Sequence, residues 1–175
     1  EVVSMTAELM GYDPTKSSGV FTFGGTGTLL YAIRLGIDKA LPGSMQTGLQ
    51  GDLPVVVCSD QAHYAAKTAA SWLGLGLQNV VAIPTAPNNE IRDDLVREFS
   101  LDYVPHLHAD AVIGWAWSVF RDYDFNLNSL EFPDRTLRAL AGANRRIRHL
   151  PLADSIGVDY HKTGFAPYIS SAFFV

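Results

Sequence analysis

The sequence predicts an α/β fold with a mainly parallel sheet and helices on both of its faces. Strand-like apolar runs alternate with helix-like segments along the chain, an order typical of parallel sheets. Residues 53–58 form a continuous apolar run, as expected of a strand covered on both faces. Leu29, Leu30, Ile33 and Ile37 recur at helical spacing. The 175 residues, 47% of them hydrophobic, suffice for one ordinary globular core, so we expect a single domain.

The individual elements follow from local periodicity and from the residues that interrupt it. We predict helices at residues 2–10, 26–40, 63–73, 89–99 and 135–148. We predict strands at residues 19–23, 53–58, 79–83, 104–108, 155–159 and 168–175. Because ligands of such sheets bind at the carboxyl ends of strands, polar side chains that follow the strands are the candidate functional residues.

Composition narrows the possible partners. A net charge of −5 with 13 scattered Lys and Arg residues argues against a nucleic-acid surface. No run approaches 18 apolar residues, so we expect no membrane span. A single cysteine, Cys58, excludes an internal disulfide and suits a reducing cytoplasm. Since the chain lacks an initiator Met and ends on Phe173-Phe174-Val175, we expect a portion of a longer protein.

Lys162 is the residue most indicative of chemistry. It follows the apolar run 156–158 directly after Asp159-Tyr160-His161, and a second apolar run begins at Ala166. Lysine is rarely held between strand-like segments unless it is paired or used covalently. A lysine in this position can lose its proton and form a Schiff base with an aldehyde, which makes Lys162 a candidate anchor for pyridoxal phosphate.

A glycine-rich turn, Gly24-Gly25-Thr26-Gly27-Thr28, lies between a predicted strand and a predicted helix. Glycines let the backbone approach a phosphate closely, and the helix N-terminus favours the anion. A plain strand-to-helix turn is equally compatible with this sequence. The turn is neither a dinucleotide fingerprint nor a P-loop.

Three histidines lie within or shortly after strand-like runs. His63 could stack on a planar cofactor or transfer a proton, or it could belong to a segment that caps a helix. On a strand, His106, His108 and Asp110 would share one face. That arrangement would suit a metal-dependent hydrolase, or Asp110 could pair with a pyridinium nitrogen; a carboxylate that merely caps the following segment is the third possibility.

Read in order, four segments resemble motifs of the group II pyridoxal-phosphate-dependent amino-acid decarboxylases, the family of the aromatic-amino-acid and glutamate decarboxylases. Residues 22–28 resemble its T-S-G-G-T-E-x-N phosphate loop, and residues 59–64 its S-x-x-x-H-x-S segment. Residues 108–112 resemble H-V-D-A-A, and residues 153–162 resemble A-D-S-x-x-x-D-x-H-K-W. The resemblance implies the large domain of the aspartate-aminotransferase type (fold type I), normally a homodimer, without the N-terminal segment and the C-terminal small domain.

The same resemblance implies a role for each matched residue. Lys162 would form the internal aldimine, Asp110 would pair with the pyridinium nitrogen and His63 would stack on the ring as the third catalytic residue. Gly25, Thr26 and His161 would hold the phosphate. The remaining residues expected to contact the cofactor are Gly27, Val112, Ser155 and Asp159. The implied reaction is decarboxylation of an L-amino acid to an amine.

The chain departs from the family pattern at several positions. Gly27 replaces a glutamate, Thr28 a small residue, Val112 an alanine close to the ring, and Thr163 a tryptophan. Residues 84–108 leave room for one helix where the family has a further βα unit. Three alternatives follow: another fold type I enzyme such as an aminotransferase or carbon–carbon lyase, a non-catalytic shortened remnant, or the metal-dependent hydrolase.

Overall fold

The computed structural model describes residues 1–85 and 104–175, which divide into two compact units. The first unit contains residues 1–28 and 108–175, and the second contains residues 29–107. The helices are α1 (Val2–Met10), α2 (Gly25–Ala40), α3 (Ser44–Thr47), α4 (Ala65–Trp72), α5 (Asp134–Ile147) and α6 (Tyr160–Thr163). The strands are β1 (Gly19–Thr22), β2 (Val56–Ser59), β3 (Val80–Ile83), β4 (His108–Asp110), β5 (Ser155–Asp159) and β6 (Ser171–Phe174). Short 3₁₀ helices cover Leu77–Asn79, Gly114–Phe120 and Leu150–Leu152.

The first unit contains a four-stranded mixed sheet in the order β1-β6-β5-β4. Strands β4 and β5 are parallel, whereas β6 is antiparallel to both of its neighbours. Consequently β1, β4 and β5 run in one direction and β6 runs against them. The connection from β5 to β6 holds only a single helical turn, and a connection that short suits antiparallel pairing better than a parallel crossover. The α/β class is confirmed, with one antiparallel strand inside the sheet.

Strand β5 is the centre of the first unit, because all five of its residues are buried. Ile156 and Val158 pack on one face in a core with Met10, Phe174 and neighbouring residues. On the opposite face, Gly157 lies against Thr28 in the first turn of α2.

The second unit contains a parallel pair, β2 and β3. Its core comprises five residues from α2, α4 and the turn that follows α4: Ile33, Ile37, Ala69, Ala70 and Leu75. The small alanines of α4 are almost completely buried, which indicates close packing of that helix.

Two predicted elements need comment. The strand predicted at residues 104–108 is wrong, because β4 begins only at His108. Pro105 lies in the predicted run and has no backbone N–H to donate to a neighbouring strand. The helix predicted at residues 89–99 lies outside the described residues. Within the described part of the chain, no helix is long and apolar enough to cross a membrane.

Candidate active site

The carboxyl ends of three strands in the first unit meet at one edge of the sheet. The register places Thr22 of β1 and Asp159 of β5 on either side of Ser171 in β6. Asp110 ends β4 opposite Gly157, two residues before Asp159. The glycine turn therefore follows β1 at the same edge at which the lysine segment follows β5.

Lys162 lies in α6, the single helical turn that continues directly from β5. Its Nζ is 2.8 Å from Oδ2 of Asp159. The lysine side chain is 39% exposed, whereas the Asp159 side chain is only 1% exposed. The ammonium group thus faces a buried carboxylate while remaining reachable from solvent.

Two further groups fix the Asp159 carboxylate. The hydroxyl of Ser171 donates to Oδ1 at 2.5 Å, and Nε2 of His161 lies 3.7 Å from Oδ2. The indole N–H of Trp115 donates to the backbone oxygen of Asp159 at 3.0 Å. A buried carboxylate is costly unless such partners compensate for lost hydration, so Asp159 and its partners behave as one unit.

The glycine turn lies beside this carboxylate. Gly24 adopts a φ of 109°, in the region that favours glycine, and a Cβ there would meet no atom within 4 Å. A Cβ on Gly25 would lie 3.1 Å from Cγ1 of Val112 and 3.4 Å from Oδ2 of Asp159. Because the first N–H groups of a helix have no partner within it, the start of α2 offers donors to an anion.

The remaining residues of the turn have packing roles that the sequence did not reveal. The N–H of Gly27 donates to the carbonyl of Gly24, and a Cβ on Gly27 would lie 2.9 Å from Cβ of Thr22. Thr28 is fully buried, and its hydroxyl donates to the carbonyl of Gly25 at 2.7 Å. Thr26 is partly buried. Gly27 therefore allows close packing, and its N–H is already used within the turn.

Asp110 lies on the same face of the sheet as Asp159. Asp110 pairs with Gly157 in the neighbouring strand, so the two residues lie on one face of the sheet. Asp159 lies on that face too, because alternate residues of a strand share a face. Their Cα atoms are about 8 Å apart, from a strand spacing of about 4.8 Å and a rise of about 3.3 Å per residue. The side chain of Asp110 is exposed and accepts a long hydrogen bond of 3.5 Å from the N–H of Val112. The edge of the sheet at the carboxyl ends of β1, β4 and β5 therefore brings together Lys162, Asp110, Gly25 and Val112.

Two predicted cofactor contacts have other surroundings in the structure. The His161 ring is buried, and its Nδ1 lies 2.9 Å from the carbonyl oxygen of Ser170. Ser155 begins β5, at the end opposite Lys162, and is fully buried with its hydroxyl 2.9 Å from Nδ1 of His108. Both side chains thus have partners within the protein, and their contacts with a cofactor stay predictions.

His63 belongs to the second unit, just before α4. Its side chain is exposed, and Nδ1 accepts a hydrogen bond from the N–H of Ala65 at 3.2 Å. The ring also contacts that of Tyr64, with centroids 4.2 Å apart. The ring thus accepts a hydrogen bond at the start of α4, and stacking on a cofactor stays a prediction.

The metal-site alternative gains no support. Because β4 begins at His108, His106 is not on the strand with His108 and Asp110, so the basis for a shared face is lost. Among residues 1–85 and 104–175, no three His, Cys, Asp or Glu side chains are grouped as metal ligands.

Ser171 and Trp115 are site residues that the sequence analysis did not identify. The only available signal for Ser171 was a polar pair, Ser170-Ser171, at the start of an apolar run. Trp115 lies in the 3₁₀ helix Gly114–Phe120, and nothing in its local sequence indicates the contact with Asp159.

Several known proteins are similar to parts of this chain. No protein-family model matches the chain. Human acidic amino acid decarboxylase GADL1 is 33% identical over 85 residues, which cover 48% of this chain and 16% of that protein. Rat cysteine sulfinic acid decarboxylase is 32% identical over 103 residues, which cover 58% of this chain and 20% of that protein. Over these segments the chain is similar to amino-acid decarboxylases, and the resemblance inferred from the four motifs is confirmed to that extent.

A third relative and two solved structures extend the similarity to almost the whole chain. L-2,4-diaminobutyrate decarboxylase of Acinetobacter baumannii is 22% identical over 222 residues, covering 99% of this chain and 39% of that protein. The structure of mouse CSAD in its apo form gives a TM-score of 0.72 at 22% identity, covering 99% and 40% of the two chains. The structure of a glutamate decarboxylase domain from Vibrio parahaemolyticus gives a TM-score of 0.65 at 19% identity, and the match covers 99% of this chain and 42% of that chain. The chain spans less than half the length of the relatives it matches, and the structural likeness shows the fold.

Proposed function

We propose that this chain is a large-domain portion of a pyridoxal-phosphate-dependent carboxy-lyase that converts an L-amino acid to an amine. The observation that carries the proposal is the contact of Lys162 Nζ with the buried Asp159 carboxylate, at the sheet edge shared with Gly25 and Asp110. The relatives named above are decarboxylases of amino acids, which supports this reaction class.

The residues at the edge fit the cofactor. Open space surrounds the Cβ position of Gly24, and a side chain at residue 25 would crowd Val112 and Asp159. Helix α2, with 16 residues, begins at this point and directs its N-terminal N–H groups towards an anion. A phosphate group could therefore bind at the start of α2, with Thr26 as a further donor.

Each residue then has a defined task. Bound pyridoxal phosphate supplies an electron sink for the electrons left when the carboxylate is lost. Lys162 would provide the amine that anchors the cofactor aldehyde, and Asp110 would keep the ring nitrogen protonated through a charge-assisted hydrogen bond. His63 would support the ring plane, and Val112 would line the pocket beside Gly25.

An absorbance titration with pyridoxal phosphate tests the proposal. The protein should develop a visible absorbance band, and borohydride reduction followed by peptide mapping should locate the cofactor on Lys162. Lys162→Ala should abolish the band in a folded protein, while Lys67→Ala, which changes another lysine of the chain, should retain it. A band that persists in Lys162→Ala would refute the assignment.

A shortened, non-catalytic remnant is the second candidate. The alignment with the Acinetobacter relative runs over 222 positions against 175 residues here, as expected if this chain lacks an internal segment. Amine release from a panel of amino acids separates the two candidates: cofactor binding without amine release would favour the remnant. The same panel, assayed for keto-acid or aldehyde products, tests an aminotransferase or carbon–carbon lyase.

A homodimer and a cytoplasmic location complete the proposal. The dimer rests on the family resemblance, and the location rests on the single cysteine of the chain. Sedimentation equilibrium of the purified chain measures its oligomeric state and so tests the homodimer.

A further inference from the structure

We propose that Asp159 is a positioning residue for Lys162: its buried carboxylate holds the ammonium beside the glycine turn as an ion pair. This inference rests on the proposed function and assigns a role to a residue that the motif comparison gave only as a cofactor contact.

The contact has the geometry that this role requires. Nζ of Lys162 and Oδ2 of Asp159 are 2.8 Å apart, an ion-pair distance. Oδ2 is buried and accepts no hydrogen bond from the described residues, so its compensation comes from the charge of the neighbouring Lys162 ammonium.

The carboxylate is oriented independently of the lysine. Ser171 in β6 donates to Oδ1, and Asp159 itself ends the buried strand β5. Groups whose positions are fixed by the surrounding structure lose little freedom when they act. Lys162 is the more accessible partner, since its side chain is partly exposed on a single helical turn.

Among the described residues, His161 and Asp110 are the titratable groups to consider beside the Asp159–Lys162 pair. His161, from α6, lies 3.7 Å from Oδ2 and bears a charge only when protonated. Strand β6 contributes the uncharged Ser171, and the first turn of α2 contributes the uncharged Gly25. Asp110, at the end of β4, is the nearest acidic residue by register. Replacing the Asp159 carboxylate should therefore act mainly on Lys162.

Reductive methylation with formaldehyde and a mild borohydride reductant, read by peptide mass spectrometry across a pH series, tests the role. The chain has four lysines, so Lys16, Lys39 and Lys67 are internal references. Only an amine that has lost its proton reacts. In Asp159→Asn the Lys162/Lys67 labelling ratio at neutral pH should rise about threefold or more, because the counter-charge is gone. The labelling profile of Lys162 should also move to lower pH.

Asp154→Asn is the matched control, because it removes the same charge from an exposed residue just before β5. It should leave the Lys162 profile unchanged. An Asp159→Asn profile that superimposes on the wild-type profile would overturn the inference.

Ser171→Ala keeps the charge but removes the hydrogen bond that orients it. If Asp159→Asn fails to fold, this second variant decides: a rise in Lys162 labelling supports the role, and unchanged labelling overturns it. Formaldehyde labelling needs no pyridoxal phosphate. A missing cofactor band would therefore count against the proposed function alone, and an unchanged labelling profile would count against the role of Asp159 alone.

Discussion

Replacement of Gly157 by alanine should destabilise the first unit through a steric conflict with Thr28. A Cβ on Gly157 would lie 2.5 Å from Oγ1 and 2.8 Å from Cβ of Thr28. Both residues are buried, so neither can turn towards solvent. The first turn of α2 or strand β5 must therefore move.

The expected cost combines two opposing terms. Overpacking of this kind costs about 1–3 kcal/mol. Replacing glycine in a strand regains about 0.5–1 kcal/mol, because alanine loses less backbone entropy on folding. The free energy of unfolding should therefore fall, by up to about 2.5 kcal/mol.

Gly142→Ala in α5 is the matched control. A Cβ there would meet only Nη2 of Arg145, at 3.8 Å, so the same substitution adds helix propensity without a clash. This variant should be more stable than the wild type by roughly 0.5–1 kcal/mol.

Urea denaturation measures both variants, with the slope of unfolding free energy against urea as a check that the compared states are the same. The steric reasoning is refuted if Gly157→Ala is as stable as the wild type. Since the Thr28 hydroxyl donates to the carbonyl of Gly25, displacement of α2 should also weaken pyridoxal phosphate binding, which the absorbance titration measures.

Three further predictions follow from single contacts. Burial, assisted by the charge of Asp154, raises the pKa of Tyr12 to about 12 from 10.0. The folded state thus favours the neutral phenol, so this contribution to stability is complete below pH 10 and is lost as the pH rises from about 10 to about 12. Denaturation at a series of pH values should show this fall in the wild type. The fall should be absent in Tyr12→Phe, which has no phenol to ionise. Arg121→Ala should cost about 1 kcal/mol or more in urea denaturation, because Nη1 of Arg121 donates to the carbonyl of Glu8 near the end of α1 at 2.8 Å. Gly25→Ala should weaken binding of pyridoxal phosphate more than it lowers the melting temperature, since the added Cβ narrows the site itself.

The sequence predicted most elements of the fold because their patterns are local. The helix at residues 2–10 and the strand at residues 155–159 have the predicted bounds. Errors occurred where proline interrupts an apolar run. Strand β2 begins at Val56 and not at residue 53, and β4 begins at His108. Pro54 and Pro105 each lack an N–H for strand pairing, so the apolar runs extend beyond the paired residues.

The candidate site was predictable only in part. The rule that ligands bind at strand ends identified Asp110, Lys162 and the glycine turn, and the register brings these three to one edge. The packing roles of Gly27 and Thr28 depend on the distance between α2 and the sheet, which no local pattern contains.

The contact of Ser171 with Asp159 shows why the centre of the site could not be predicted. Alternation along a strand reveals which side chains share a face, but it does not reveal which strands are neighbours. Strand β6 lies between β1 and β5 and is antiparallel to both. Ser171, which follows Lys162 in the sequence, therefore lies beside Asp159, which precedes Lys162, and its hydroxyl donates to the Asp159 carboxylate. The antiparallel course of β6 therefore brings together Asp159, Lys162 and Ser171. A substitution in β6 that leaves every motif residue in place should still alter the reactivity of Lys162.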